Sequence, residues 1–310
     1  MQTRTIGSLT VSLVGLGCNN FGMRIDEDGT KQVVHAALDA GINFFDTADI
    51  YGGTGSEELL GRALGRNRDE VVVATKFAAP IDDDPQHAGA SARWVREAVD
   101  GSLRRLGTDR IDLYQQHMPD PAVPIEETLE ALDALVRVGK VREIGNSNFS
   151  GEQIDAAEAV SATKGWARFV SAQNHFNVLH REPLDDVVPA CVRNGLGMLP
   201  YFPLASGLLT GKYDRGEPPP AGTRLSTMPE DRAARILSDR NFERLERLAA
   251  FAEARDHTVL DLAFAWLAGQ PAVASVIAGA TQADQVRANV AAGAWTLSRE
   301  ELEELDELDA

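Results

Sequence analysis

The sequence is short of cysteine, of positive charge and of long apolar runs. Its two cysteines, Cys18 and Cys191, have neither the number for a disulfide framework nor the paired spacing of a zinc site. A reducing compartment is expected. Lys and Arg number 30 against 47 Asp and Glu, a net charge of −17. That balance excludes the broad basic face that a phosphate backbone needs, so no nucleic-acid partner is expected. The longest apolar run, Val259–Leu267, is broken by Asp261 and is too short to span a bilayer. Met1–Val11 lacks the apolar stretch of a signal peptide. These absences together predict a cytoplasmic protein with no membrane partner. Repeats of short period, low-complexity tracts and linkers are missing too, which predicts a single domain over 1–310.

What is present is an alternation of strand and helix. Val14–Gly17, Ile42–Asp46, Val71–Lys76, Ile111–Gln116, Val141–Asn146, Phe169–Gln173, Gly197–Pro200 and Ser275–Ala278 read as eight strands. They are short and apolar on both faces, as buried parallel strands are. Helical patterns stand between them over Ser56–Leu64, Ala92–Leu106, Ile125–Val138, Ile154–Val160, Leu184–Arg193 and Ala283–Val290. Eight βα units close into a barrel, and this length suits one. The expected fold is α/β, a (β/α)8 TIM barrel with additions at both ends. Arg4–Val11, turning at Gly7-Ser8, reads as an N-terminal β-hairpin, and Glu300–Leu308 as an extra C-terminal helix. Lys212–Asp231, with Pro218, Pro219 and Pro220, reads as a long irregular loop after the seventh strand, a place where function resides.

Titratable residues gather at or just past the ends of three successive strands. Asp46 ends INFFD, Tyr51 follows in TADIYG, Lys76 ends VVVATK and His117 follows IDLYQQ. Strand C-terminal ends meet on one face of a barrel. A phenol is a weak acid near neutrality, with an ordinary pKa of about 10. A nearby ammonium stabilises the phenolate and lowers that value. Lys76 is the candidate ammonium, Asp46 its counter-ion, and His117 the group that orients a substrate oxygen or shares the proton. Singly, each has a plainer reading: a solvated strand end, a turn cap, a satisfied polar group. Their convergence on neighbouring strand ends is what favours chemistry.

With these residues and the strings FDTADIYG (45–52), TKF (75–77), LYQQH (113–117), GNSNF (145–149), QNHFN (173–177) and YFPLASGLLTGKY (201–213), the chain resembles the aldo-keto reductases over nearly its whole length. The resemblance implies an NADP(H)-dependent oxidoreductase that carries hydride between nicotinamide and an aldehyde or ketone. Asp46, Tyr51, Lys76 and His117 are then the catalytic set, Tyr51 the general acid, with cofactor binding first and no metal. It implies Ser147, Asn148 and Gln173 at the nicotinamide carboxamide and Tyr201 stacked on the ring. Gly17 lets the first loop pass close by. Leu204, Gly207, Leu209, Gly211 and Lys212 belong to a pyrophosphate-covering loop. Gly279, Thr281, Gln285 and Asn289 lie on the adenosine side, where a helix N-terminus favours anions.

The chain also departs from the pattern. Ala280, Thr281 and Gln282 stand where many relatives carry a cation for the 2′-phosphate, so NAD(H) stays open beside NADP(H). Asn19 and Met118, the candidate substrate-pocket positions, are not aromatic. Substrate, preferred direction and oligomeric state are not read from the sequence. Gly15, Gly17 and Gly22 do not make a dinucleotide fingerprint, since Asn20 replaces the third glycine and no helix follows at once. His175 and His180 lack further ligands and read as polar pocket or surface residues; Cys18 reads as a packed small residue. The alternative function is an NADP(H)-binding sensor or regulatory subunit with little turnover, because some members of the resembled family serve as partner modules on channels.

Overall fold

In a computed structural model the chain is described over residues 1–308. The N-terminal hairpin pairs β1 (Thr3–Ile6) with β2 (Leu9–Ser12) in antiparallel register. Eight parallel strands follow: β3 (Val14–Gly17), β4 (Phe44–Asp46), β5 (Val72–Phe77), β6 (Ile111–Gln116), β7 (Val141–Ser147), β8 (Phe169–Gln173), β9 (Gly197–Met198) and β10 (Val276–Gly279). Each pairs with its sequence neighbour, and β10 returns to β3. Between β9 and β10 the circle is joined by a parallel bridge from Met198 to Val273. Met198 N–H donates to Ala272 O at 2.7 Å, and Ala274 N–H donates to Met198 O at 2.8 Å. Strands β5, β6 and β8 are buried along their whole length, as strands covered on both faces must be.

The helices are α1 (Glu27–Asp39), α2 (Gly55–Leu64), α3 (Ala92–Leu106), α4 (Ile125–Arg137), α5 (Gly151–Lys164), α6 (Val187–Asn194), α7 (Glu230–Ile236), α8 (Asp239–Glu253), α9 (Val259–Gly269), α10 (Ala283–Ala292) and α11 (Arg299–Leu308). Several begin with side-chain caps. Ser150 and Gln153 form a reciprocal capping box on α5, and Thr258 and Asp261 form another on α9. Helices α1, α7, α8 and α9 are additions to the sequence reading. The seventh strand is shorter than Gly197–Pro200 because its outer partner is the irregular segment around Val273.

The hairpin decides which end of the barrel is open. Ile6, Leu9 and Val11 pack with Phe44, Val72, Leu113 and Leu199 inside one mouth. That plug is the N-terminal end of the strands. The other mouth, where Asp46, Phe77, Gln116, Ser147 and Gln173 end their strands, carries the loops and the cavity.

Candidate active site

Lys76 lies inside the barrel, fully buried, one strand from Asp46. An unpaired ammonium there would be very costly. Its Nζ donates to Asp46 Oδ2 at 2.7 Å and to Thr47 O at 2.8 Å. Its third donor faces Tyr51 Oη at 3.4 Å. Asp46 Oδ1 accepts from Gln173 Nε2 at 2.9 Å and Gln115 Nε2 at 3.2 Å. The carboxylate is therefore held from three strands. His117 stands edge-on to Tyr51, ring centroids 5.8 Å apart at 81°.

Burial governs how these groups titrate. It raises the Tyr51 phenol above its ordinary value; Lys76 pulls the other way and only partly offsets it. The expected net lowering by the ammonium is thus corrected: the neutral phenol is the favoured form. Burial alone would lower Lys76, but Asp46 and the phenol outweigh it and its pKa is raised. His117 is pushed down to about 3 by burial and then by Lys76. It is neutral throughout the physiological range.

A cavity of about 930 Å³ opens from this group, at the upper end of the roughly 300–1,000 Å³ usual for ligand sites. Asp46, Tyr51 and His117 line one part of it; Lys76 sits behind the wall. Gly17, Ser147, Asn148, Gln173, Tyr201, Leu204, Gly207, Lys212, Gly279, Thr281, Gln285, Asn289 and Asn19 also line it. Leu209, Gly211 and Met118 do not. Leu209 is packed in the core, Gly211 closes a turn with φ 72°, and Met118 is 41% exposed.

Several lining groups already have partners. Ser147 Oγ donates to Gln173 O at 2.8 Å. Asn148 Nδ2 donates to His117 O at 2.9 Å, and Asn148 Oδ1 accepts from Tyr201 Oη at 2.9 Å. Asn148 takes a left-handed φ of 61°, which asparagine tolerates better than most residues. Gln285 Oε1 accepts from Thr281 N–H at 2.8 Å, so this side chain satisfies a free donor where the chain enters α10.

Two arginines escaped the sequence reading. Arg24 and Arg224 line the cavity together with Lys212. Among the described residues none of the three forms an ion pair. Arg24 Nη2 donates to Gly222 O at 2.6 Å, and Arg224 lies over the Phe202 ring at 4.8 Å. Burial and then Arg24 lower the pKa of both Lys212 and Arg224, as expected where cations crowd without counter-ions. Neither arginine sits in a motif, so the only signal was a lone cation in each of two polar loops. Lys212 is packed over Gly207, where a Cβ would come within 2.7 Å of Nζ. Together the three make a cationic cluster on the cavity wall of a chain of net charge −17.

The comparisons agree with this architecture. A model described as the aldo/keto reductase family matches residues 13–310. An "Uncharacterized oxidoreductase YrpG" of Bacillus subtilis is 35% identical over 311 aligned positions, 97% of this chain and 93% of that protein. The "Aldo-keto reductase YhdN" of the same organism is 36% identical, covering 96% and 90%. A "Probable voltage-gated potassium channel subunit beta" of Oryza sativa is 34% identical, covering 94% and 91%. No helix among the described residues is long and apolar enough to cross a membrane. With its barrel, its hairpin plug and a family match from residue 13 to the end, the chain belongs to the aldo/keto reductase family, a family of oxidoreductases.

Proposed function

We propose that the protein is an NADP(H)-dependent carbonyl reductase in which Tyr51 is the general acid. One observation carries the reading. The buried Asp46–Lys76 pair at 2.7 Å, with Tyr51 3.4 Å from the same ammonium, opens into a cavity that also holds Arg24, Lys212 and Arg224 without carboxylate partners. A bound nicotinamide would supply hydride to the carbonyl carbon. The side chains manage the oxygen. Tyr51 gives its proton to that oxygen as negative charge develops. Lys76 stabilises the phenolate left behind, and Asp46 keeps Lys76 charged and in place. His117, neutral, orients the substrate oxygen through its one ring N–H and is not the imidazolium that acid catalysis by a histidine needs.

The residues fit the phosphorylated dinucleotide. The three cations suit the pyrophosphate and the 2′-phosphate, since Ala280, Thr281 and Gln282 bring no cation of their own. Ser147, Asn148 and Gln173 suit the carboxamide, Tyr201 the ring, and Gln285 and Asn289 the adenine side. Gly17, Leu204, Gly207, Gly279 and Thr281 complete the wall of that site. An aldehyde or ketone is the proposed substrate class.

The channel-subunit relatives favour a second reading, a sensor that binds NADP(H) with little turnover. The acid and its ammonium partner argue for turnover, since binding alone needs neither. Steady-state NADPH oxidation with a panel of aldehydes separates the two. Turnover is expected with at least one aldehyde. Tight NADPH binding with no turnover on any carbonyl would favour the sensor.

A further inference from the structure

Tyr201 lines both the large cavity and a small adjoining one of about 220 Å³. It heads a row of rings. His175 lies nearly parallel to it, centroids 5.5 Å apart at 14°. His180 lies parallel to His175 at 3.8 Å and 13°. Phe202 meets Tyr201 and His175 edge-on, at 5.1 Å and 82° and at 5.6 Å and 86°.

Each ring in the row is tied. Tyr201 Oη donates to Asn148 Oδ1 at 2.9 Å. His175 Nε2 faces Asn177 Nδ2 at 3.3 Å. The amide nitrogen is a donor, so this imidazole nitrogen accepts and the ring is neutral, with its proton on Nδ1. Asn177 Nδ2 also donates to Phe202 O at 2.9 Å. His180 Nδ1 stands 2.9 Å from Glu182 Oε2, which anchors the outer end. A backbone bridge between His175 and Tyr201 keeps the two residues in step. A cluster that only filled space would not need parallel planes or a fixed tautomer.

We infer that His175 is a positioning residue for Tyr201: its flat neutral ring fixes the plane of the tyrosine and so the plane in which a nicotinamide is held. This rests on the proposed role of Tyr201. His180 braces His175 from the outside. The contribution is that of an aromatic pair, about 0.5–1.5 kcal/mol, or about 2- to 10-fold in affinity.

The test uses the full chain as wild type, His175→Phe, His175→Leu and His180→Ala. NADPH Kd is read by fluorescence titration, and aldehyde KM and kcat at saturating NADPH. His175→Leu is expected to raise the NADPH Kd about 2- to 10-fold and leave the aldehyde KM unchanged. His175→Phe, which keeps a flat ring, is expected to bind NADPH like the wild type. Unchanged Kd in His175→Leu, or equal losses in the Leu and Phe variants, would overturn the inference. Should His175→Leu fail to fold, His180→Ala decides: a raised Kd supports the brace and an unchanged one removes it. Wild-type protein that binds no NADPH would instead defeat the functional reading itself.

Discussion

Tyr51 and His117 hold or lack a proton because of where they are buried. With His117 pushed to about 3 and Tyr51 raised, neither changes charge between pH 5 and 7. The kcat for carbonyl reduction is therefore expected to be flat across that interval. A rate limb with an apparent pKa near 6 would mean that the histidine supplies the proton. Asp49 titrates differently. It is buried, both carboxyl oxygens lack partners, and burial followed by Glu57 raises it to about 8. Its folded value lies above the unfolded one of about 3.9, so the stability it confers is full below pH 4 and lost as pH rises through 8. Asp49→Asn mimics the protonated acid. Denaturant melts should show the wild type weakening from pH 5 to 8 relative to the variant, by on the order of a few kcal/mol. Parallel curves would contradict this account of Asp49. The four candidate catalytic residues were legible because each stands at or just past a strand end in a recognisable string. Arg24 and Arg224 were not, because their meeting depends on loop paths that no local pattern encodes.

At the scale of elements, the parallel strands were the readable part. VVVATK and IDLYQQ are apolar runs bounded by polar loops, and the barrel buries both faces of them. Helix α1 was missed because Gly29 and two acidic residues open it and obscure the pattern. Helix α8 has a regular stripe, Phe242, Leu245, Leu248 and Phe251, but the proline-rich segment before it hides where the helix begins. Strand β9 stops at Met198, short of the apolar run's end at Pro200, because its outer partner is a bridge rather than a strand. Packing between helices supplies a direct test. Gly61 on α2 faces the end of α3, and a Cβ there would lie 2.3 Å from Leu106 O. Backbone cannot yield cheaply, so Gly61→Ala should destabilise by about 1–3 kcal/mol despite its better helix propensity. A variant as stable as wild type in urea would show that the two helices can separate without cost.

At the scale of the whole molecule, a net charge of −17 repels anions at a distance, while three cations in the cavity attract them at contact. Affinity for a polyanionic cofactor must then come from short-range pairing. NADPH is expected to bind about 10- to 100-fold more tightly than NADH at low salt, the worth of a charge-assisted pair to the extra phosphate. The gap should narrow as salt screens it and shrink in Arg24→Gln and Arg224→Gln. Equal affinities in the wild type would mean that none of the three cations meets the 2′-phosphate. Proton delivery by Tyr51 is the central step. Tyr51→Phe removes one hydroxyl and leaves the cavity walls intact. Measured with an aldehyde that the wild type reduces, its kcat should fall about 10²- to 10⁴-fold while its NADPH Kd stays near the wild-type value. A Tyr51→Phe enzyme that turns over at the wild-type rate would contradict it.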